Sequence, residues 1–271
     1  MYCKTEQKTK VLIDGSYLIY STYFNANYIY KKRFPKKKLK ENEDLSKNYD
    51  FIKIFNQIFT KNFKKIKKFF NILYTDIFFV RDCLRETIWR LDIYDKYKID
   101  RKGFVKHQNK EVDLGNFFMM TYNEILQDLQ KKMKFNVIKI EEAEADDTIY
   151  LLSRLFIKDG YNVNIMSNDS DFHQLLNDKV NMYDIGLKKV NLEGDPSNLL
   201  LYKILRGDRS DNIRGFKINR KTYNVDNMLN LLKHPKGNAL FIRNKKLIDF
   251  SYVPLRLKKE VLKYYQKLHK N

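Results

Sequence analysis

Four short apolar runs, alternating with longer segments of helical period, constrain the fold of this chain more than any other feature. The runs are KVLID (10–14), DIFFV (76–80), FNVIKI (135–140) and NVNIMS (162–167). Each is too short for a buried helix and has the length of a buried strand. Between the first two, Phe51, Phe55, Ile58, Phe59, Phe63, Ile66, Phe70 and Leu73 recur every three or four residues, with Lys61, Lys64, Lys65 and Lys68 on the opposite face. That spacing predicts an amphipathic helix. Residues 114–133 and 146–157 read as helices in the same way. Strands separated by helices of this length imply βαβ units. The expected class is therefore α/β, with a central, mainly parallel sheet flanked by helices. A hairpin is expected next, VNMYD then KKVNL, turned at Ile185–Gly186. From Glu193 onward strand signals fade, and short helical segments (197–206, 224–233, 255–268) are broken by Pro235, Gly237 and Pro254. This divides the chain into an α/β core, 1–192, and a helical module, 193–271. The lysine-rich run at 31–47 reads as a mobile, solvated loop.

Charge narrows the function. Lys and Arg number 53 against 33 acidic residues, a formal net charge of +20, which points to a polyanionic partner, nucleic acid before an anionic membrane surface. No apolar run approaches the ~20 residues needed to span a bilayer, and the start, MYCKTEQKTK, lacks the apolar stretch of a secretory signal. Cys3 and Cys83 are the only cysteines, too few for a disulfide framework or a Cys-rich zinc site. An intracellular, reduced protein is expected. Phosphate-loop, H-E-x-x-H and G-x-S-x-G motifs are all missing.

Against this basic background the acids are concentrated. Asp14 closes the first run and Asp82 lies two residues past the second. Glu144, Asp146 and Asp147, within EEAEADDTIYLL (141–152), follow the third and open a helix. Asp169 and Asp171 follow the fourth in SNDSDF. Taken singly, each is explained by a helix dipole or a turn. Taken together, four strand ends deliver acid to the edge where open parallel sheets bind ligands. Glu144 and Asp147, three apart, share a helix face, whereas Asp146 points roughly 100° away. The expectation is thus two inward carboxylates and one further out. Carboxylates this crowded repel unless a cation neutralises them. An all-oxygen donor set suits Mg²⁺ or Mn²⁺. Two such ions about 4 Å apart are suited to phosphodiester hydrolysis. His173 is the one histidine near these acids and reads as a helix residue beside the site.

At these residues the chain resembles the structure-specific 5′-nucleases, the family of flap endonucleases and phage 5′-exonucleases. The matching motifs are LIDGS (12–16), EADD (144–147), SNDSDF (167–172) and GDRSDNIRG (207–215), in family order and spacing. Within the family, Trp89–Arg90, YKIDR (97–101) and LIDFSYVP (247–254) most resemble the T-even phage ribonuclease H branch. The resemblance implies a PIN-like nuclease core with a helix–three-turn–helix-like DNA-binding module. It implies a 5′-to-3′ exonuclease and flap endonuclease that removes RNA primers and uses two Mg²⁺ ions, with Mn²⁺ as substitute. One metal group would come from Asp14, Asp82, Glu144, Asp146 and Asp169, and a second from Asp171, Asp208 and Asp211 with Asp147 close by.

Residues 84–110 match the family's arch over the site. There Arg85, Arg90, Lys96, Lys98, Arg101, Lys102 and Lys106 interleave with Trp89, Tyr94 and Tyr97. Basic groups can track a single strand while aromatic rings stack on its bases. Lys98, Arg101 and Arg90 are expected to grip the scissile phosphate, and Trp89 to serve packing. The chain departs from the family at GFKINRKT (215–222), where Asn219 stands for an expected glycine and one residue is missing. A monovalent-cation site there is in doubt, and Lys217, Arg220 and Lys221 are expected to contact duplex phosphates directly. The implied partners are DNA and RNA/DNA hybrids with 5′ ends or flaps, bound by a monomer. Docking to a sliding clamp or single-strand-binding protein has no sequence support. Resemblance and coding bias together point to a phage or large DNA virus, with the protein at replicating DNA in the infected cell. The competing readings are a PIN-like endoribonuclease and a non-catalytic junction-binding protein.

Overall fold

A computed structural model describes residues 8–36, 44–99, 104–107, 110–217 and 232–268. The four apolar runs all become strands. In chain order the elements begin with β1 (Thr9–Asp14), α1 (Gly15–Arg33), α2 (Tyr49–Phe70) and β2 (Ile77–Arg81). A hairpin follows, β3 (Phe104–His107) and β4 (Lys110–Asp113). Next come α3 (Gly115–Met120), a π turn at Thr121–Ile125, α4 (Leu126–Met133), β5 (Asn136–Lys139), α5 (Ala145–Lys158) and β6 (Asn162–Met166). The remainder is β7 (Val180–Tyr183), α6 (Pro196–Arg206), the two-residue strands β8 (Gly207–Asp208) and β9 (Ile213–Arg214), α7 (Pro235–Ile248) and α8 (Leu255–Leu268).

The sheet runs β5-β2-β1-β6-β7, parallel throughout. Asp14 sits opposite Val80 and Ile13 opposite Met166, so the central strands end level with one another. The chain leaves β1 in one direction to β2 and β5, then returns on its other side to β6 and β7. The carboxyl end of β1 is therefore the topological switch point, where such sheets open a crevice. β7 also joins the sheet as a fifth parallel strand. The expected hairpin is present in short form. Asp184 closes its turn by accepting from Leu187 N and Lys188 N (both 2.9 Å), and the return pairs antiparallel between Tyr183 and Lys189, with Val190 N donating to the Met182 carbonyl (2.8 Å).

Strand alternation builds two cores. Ile77 and Phe79 face α1, α2 and the α3–α4 helix, while Phe78 and Val80 face α5 and α8. On the first face the α2 phenylalanines Phe51, Phe55, Phe59 and Phe63 are fully buried, and Phe63 packs on Phe135 at 4.4 Å between ring centroids. Each such side chain contributes roughly 1.5–3 kcal/mol by burial. Leu73 does not join them. The helix ends at Phe70 with Asn71 in the left-handed region, which leaves Leu73 exposed.

Two further expectations change beyond Glu193. Pro235 and Gly237 do not break a helix; Pro235 begins α7 at its first turn, where its missing N–H is harmless, and His234 caps it. The last helix does not stand apart from the sheet domain either. Leu257, Val261 and Tyr265 of α8 are buried in the second core with Phe156 of α5. Of the expected helix 224–233, residues 224–231 lie outside the described residues. Of the lysine-rich run, Lys31–Arg33 end α1 and Leu45–Lys47 form a 3₁₀ turn, while residues 37–43 lie outside the described residues.

Candidate active site

The crevice at the end of β1 collects the acids. Asp14 ends β1 and caps α1, accepting from Tyr17 N (3.0 Å) and from the Ser167 hydroxyl (2.9 Å). A side chain at Gly15 would place its Cβ 2.5 Å from the Val80 carbonyl, so the residue after Asp14 has to be glycine. Asp82 directly follows β2, one residue closer than expected, and accepts from Ser16 Oγ (2.6 Å) and Ala145 N (2.8 Å). Glu144 caps α5, Asp146 lies in its first turn, and Asp169 caps the 3₁₀ helix Ser170–Leu175.

These carboxylates perturb one another. Burial, then the charges of Asp82 and Asp169, push Asp14 up to about 7 against its hydrogen bonds. Burial, Asp169 and Asp14 drive Asp146 well above the ordinary carboxylate range. Glu144 moves the other way: burial would raise it, but Lys98 and Arg90 hold it at about 2. His173, on the Ser170–Leu175 turn, is lowered by burial, with Asp169 opposing.

Asp147 departs from the metal-ligand expectation. It is fully buried, receives both Arg90 guanidinium nitrogens at 2.8 Å, and also accepts from Trp89 Nε1 (2.8 Å) and Glu144 N (3.1 Å). A buried arginine must be matched by charge and hydrogen bonds, and Asp147 supplies that match. Asp146, the residue before it, lies instead among the charges of Asp169 and Asp14, while Glu144, which caps α5, is bonded to Arg90, Tyr97 and Lys98. Arg90 is corrected with Asp147. At 3% exposure, bonded to Asp147, Glu144 and the Leu247 carbonyl, it cannot reach a phosphate and instead positions Glu144. Trp89 is buried beside it. Tyr97 is not a stacking platform, since its buried hydroxyl lies 2.9 Å from Glu144 Oε2 and 3.1 Å from Asp211 Oδ2.

Lys98 takes a left-handed backbone (φ 53°), and its N–H donates to the Asp211 carbonyl (2.9 Å). Side chains other than glycine adopt that region at a cost. Here the turn carries the Lys98 ammonium to Glu144, with Asp211 3.7 Å away. Lys96 and Lys217 are exposed, Arg85 is half-buried on a 3₁₀ turn, and Lys106 lies on β3. Arg101, Lys102, Arg220 and Lys221 fall outside the described residues.

A second acidic group faces the first. Oxygens of Asp171, Asp208 and Asp211 all lie within 4.8 Å of one another. The tight β8–β9 turn brings Asp208 and Asp211 there. Gly207 has φ 73°, and a Cβ on it would lie 2.3 Å from the Ile213 carbonyl, which explains the glycine of GDRSDN. Ser210 fixes Asp208 through its N–H (2.8 Å) and hydroxyl (2.6 Å). Lys203 of α6 inserts its ammonium between Asp171 and Asp208, 2.9 Å from the latter. Burial opposes ionisation of Asp208, but Lys203 and the Ser210 hydrogen bonds together outweigh it and hold the group at about 2. Sequence reasoning missed Lys203, which is one lysine among many until α6 turns it inward. Beside this group opens a groove of about 890 Å³ lined by His173, Lys203, Arg206, Arg209, Asn212 and Lys217 among others.

The donor set fits divalent cations. All of its side chains offer hard oxygens, Asp14 and Asp146 are crowded by like charges, and the Lys203 ammonium stands between Asp171 and Asp208 where a cation would. Comparison with known proteins agrees. The family described as 5′-3′ exonuclease, N-terminal resolvase-like domain, matches residues 9–199. The chain belongs to that family. Similar relatives include the ribonuclease H of Enterobacteria phage T4, 28% identical over 74% of this chain and 72% of its own length. The 5′-3′ exonuclease of Buchnera aphidicola (strain APS) is 28% identical over 88% and 79%. Among solved structures, the bacteriophage T5 flap endonuclease in a complex with DNA and metal ions superposes with a TM-score of 0.63 at 17% identity, covering 97% of this chain and all of that one. This member of the 5′-3′ exonuclease family is a metal-dependent 5′-nuclease, and no described helix is long and apolar enough to cross a membrane.

Proposed function

We propose that the protein hydrolyses phosphodiester bonds near 5′ ends at single-strand/duplex junctions, removing flaps and RNA primers in DNA replication or repair. The observation that carries this reading is the pair of facing acidic groups at the switch point of a strongly basic chain. Asp14, Asp82, Glu144, Asp146 and Asp169 would hold one Mg²⁺, and Asp171, Asp208 and Asp211 a second, with Mn²⁺ an effective substitute. When bound, the ions supply an activated hydroxide and Lewis-acid stabilisation of the leaving oxygen.

The remaining roles fall to the chain itself. Arg90, Tyr97 and Asp147 hold Glu144 in place. Lys98, with Arg101, grips the scissile phosphate and steadies developing charge. Arg85, Lys96, Lys102 and Lys106 track the single strand, while Lys217, Arg220 and Lys221 contact the duplex.

The test is cleavage of 5′-labelled flap DNA, and of an RNA-primed equivalent, with Mg²⁺ or with chelator. Metal-dependent products with 5′-phosphates at the junction are expected. Products from single-stranded RNA alone, or binding without cleavage, would refute the reading. Affinity for the flap should fall by orders of magnitude between 50 and 200 mM salt, as several phosphate contacts require, which titration at both concentrations measures.

A further inference from the structure

The basic side chains at the acidic crevice differ in one respect. Arg90, Lys98 and Lys203 are matched to carboxylates. Arg81, the last residue of β2 and the neighbour of Asp82, is not. Among the described residues its side chain makes no hydrogen bond or ion pair, and its Nε is buried without an acceptor. Burying an unsatisfied guanidinium nitrogen is unfavourable; Arg85 Nη2 shares that feature, and what sets Arg81 apart is its place next to Asp82 at the end of β2.

The guanidinium is nevertheless held in place. It lies over the Tyr122 ring, 3.9 Å from the centroid, close enough for a cation–π contact. Tyr122 is almost fully buried and sits in the π turn Thr121–Ile125, which interrupts the helix running from Gly115 to Met133. Such turns recur at functional sites. Burial and then the Asp82 charge push the tyrosine hydroxyl upward, which places it within electrostatic reach of the acids. Ser16, at the start of α1, donates its own proton to Asp82 (2.6 Å). By strand alternation Arg81 continues the Ile77 and Phe79 face, which places it on the α1 side of the acids. The chain leaves the sheet here toward residues 84–99 and returns through β4 into α3, so Arg81 and Tyr122 stand where the segment over the site begins and ends.

We propose that Arg81, stacked on Tyr122, is a substrate-positioning residue that binds the phosphate adjoining the scissile one on the cleaved strand. The planar guanidinium presents parallel donors that match two phosphate oxygens, and its terminal nitrogens, which are neither buried nor paired within the described residues, are the ones placed to take them. The tyrosine fixes the plane of that fork. This assignment rests on the nuclease reading above.

The test is single-turnover cleavage of 5′-labelled flap DNA in Mg²⁺ by the wild type, Arg81→Gln and Arg81→Lys, on substrates carrying one neutral methylphosphonate at successive positions near the cut. Arg81→Gln should cleave the unmodified flap about 10- to 100-fold more slowly. Arg81→Lys should fall between, because it keeps the charge but loses the fork. At one position beside the scissile phosphate, the methylphosphonate should slow the wild type by a similar factor and leave Arg81→Gln almost unaffected. A purely structural arginine predicts independent, multiplicative losses at every position, and that outcome overturns the proposal. So does an Arg81→Gln protein that cleaves like the wild type. Thermal melting and Mn²⁺ binding of the variant should match the wild type, and loss of either would mean that Arg81 serves the fold or the metal ligands. A wild type with no Mg²⁺-dependent cleavage would sink the nuclease reading itself, before any variant is compared.

Discussion

The two acidic groups face each other across the same crevice, yet they solve the problem of crowded charge in opposite ways. At the sheet edge, buried Asp14 and half-buried Asp146 sit among like charges, which with burial shift both upward and disfavour their ionised forms. Near β8–β9 an ammonium from α6 enters the cluster and Asp208 shifts downward. In the first group, among the described residues, internal cations pair only with Glu144, through Lys98 and Arg90, and Asp14 and Asp146 are left for an external one; in the second, Lys203 serves Asp171 and Asp208 directly.

The largest expected effect breaks the first group. Asp146→Asn with Asp169→Asn should lower Mg²⁺-dependent flap cleavage by at least about 10³-fold, because several kcal/mol of Lewis-acid stabilisation would be lost. Gel-shift affinity for the same flap should be unchanged. Parallel loss of binding would show that these acids hold the fold together.

Asp147 sharpens the contrast, since it is satisfied inside the protein. Asp147→Asn removes the charge partner of a buried arginine and should destabilise the fold by about 3–5 kcal/mol, read from urea denaturation. A variant that unfolds like the wild type but needs more Mg²⁺ would return Asp147 to the metal ligands.

A smaller effect concerns pH. Asp14 rises from an ordinary 3.8 to about 7 in the folded protein. A raised carboxyl contributes stability that is complete below the unfolded value and lost as pH climbs through the folded one. In chelator, the melting temperature should therefore fall between about pH 4 and pH 7. His173, lowered by burial, acts in the opposite sense near neutrality, and a His173→Gln background removes it. Added Mg²⁺ should abolish the fall, because it binds the ionised form. A metal-free melting temperature that rises across this window would contradict the picture. Glu144 and Asp208, both held at about 2, lose their contributions only as pH falls below the ordinary carboxylate range.

The smallest change tests the second group. With the internal cation removed, Lys203→Met should lower the Mg²⁺ concentration for half-maximal cleavage a few-fold, as Coulomb attraction at a partly screened site implies. An increased requirement would assign Lys203 to substrate instead.

Much of this arrangement is legible in the linear chain. The residue periods announce alternating strands and helices, and the acids of LIDGS, EADD and SNDSDF stand at strand ends because that is where the apolar runs stop. The glycines are equally readable in retrospect, since Gly15 and Gly207 mark places where a Cβ would collide with a carbonyl. Less legible is which carboxylate faces which neighbour. Helical spacing puts Glu144 and Asp147 on one face, but that face turned out to look at Arg90. The basic and aromatic residues of the 84–99 segment read as a nucleic-acid surface, yet Trp89, Arg90 and Tyr97 are buried beneath it.

By itself, then, the sequence determined the order of elements, the parallel sheet and the edge to which the acids are delivered, because these depend on residue periods and on where apolar runs end. Only the tertiary structure decided how the charges are shared out: Asp147 to Arg90, Glu144 to Lys98 and Tyr97, Asp208 to Lys203, and Arg81 to no carboxylate among the described residues. The reason is physical. Pairing energies depend on distance and on burial, and both are set by segments far apart in the chain, such as residue 90 against 147 or 203 against 171, which no local pattern can bring together in advance.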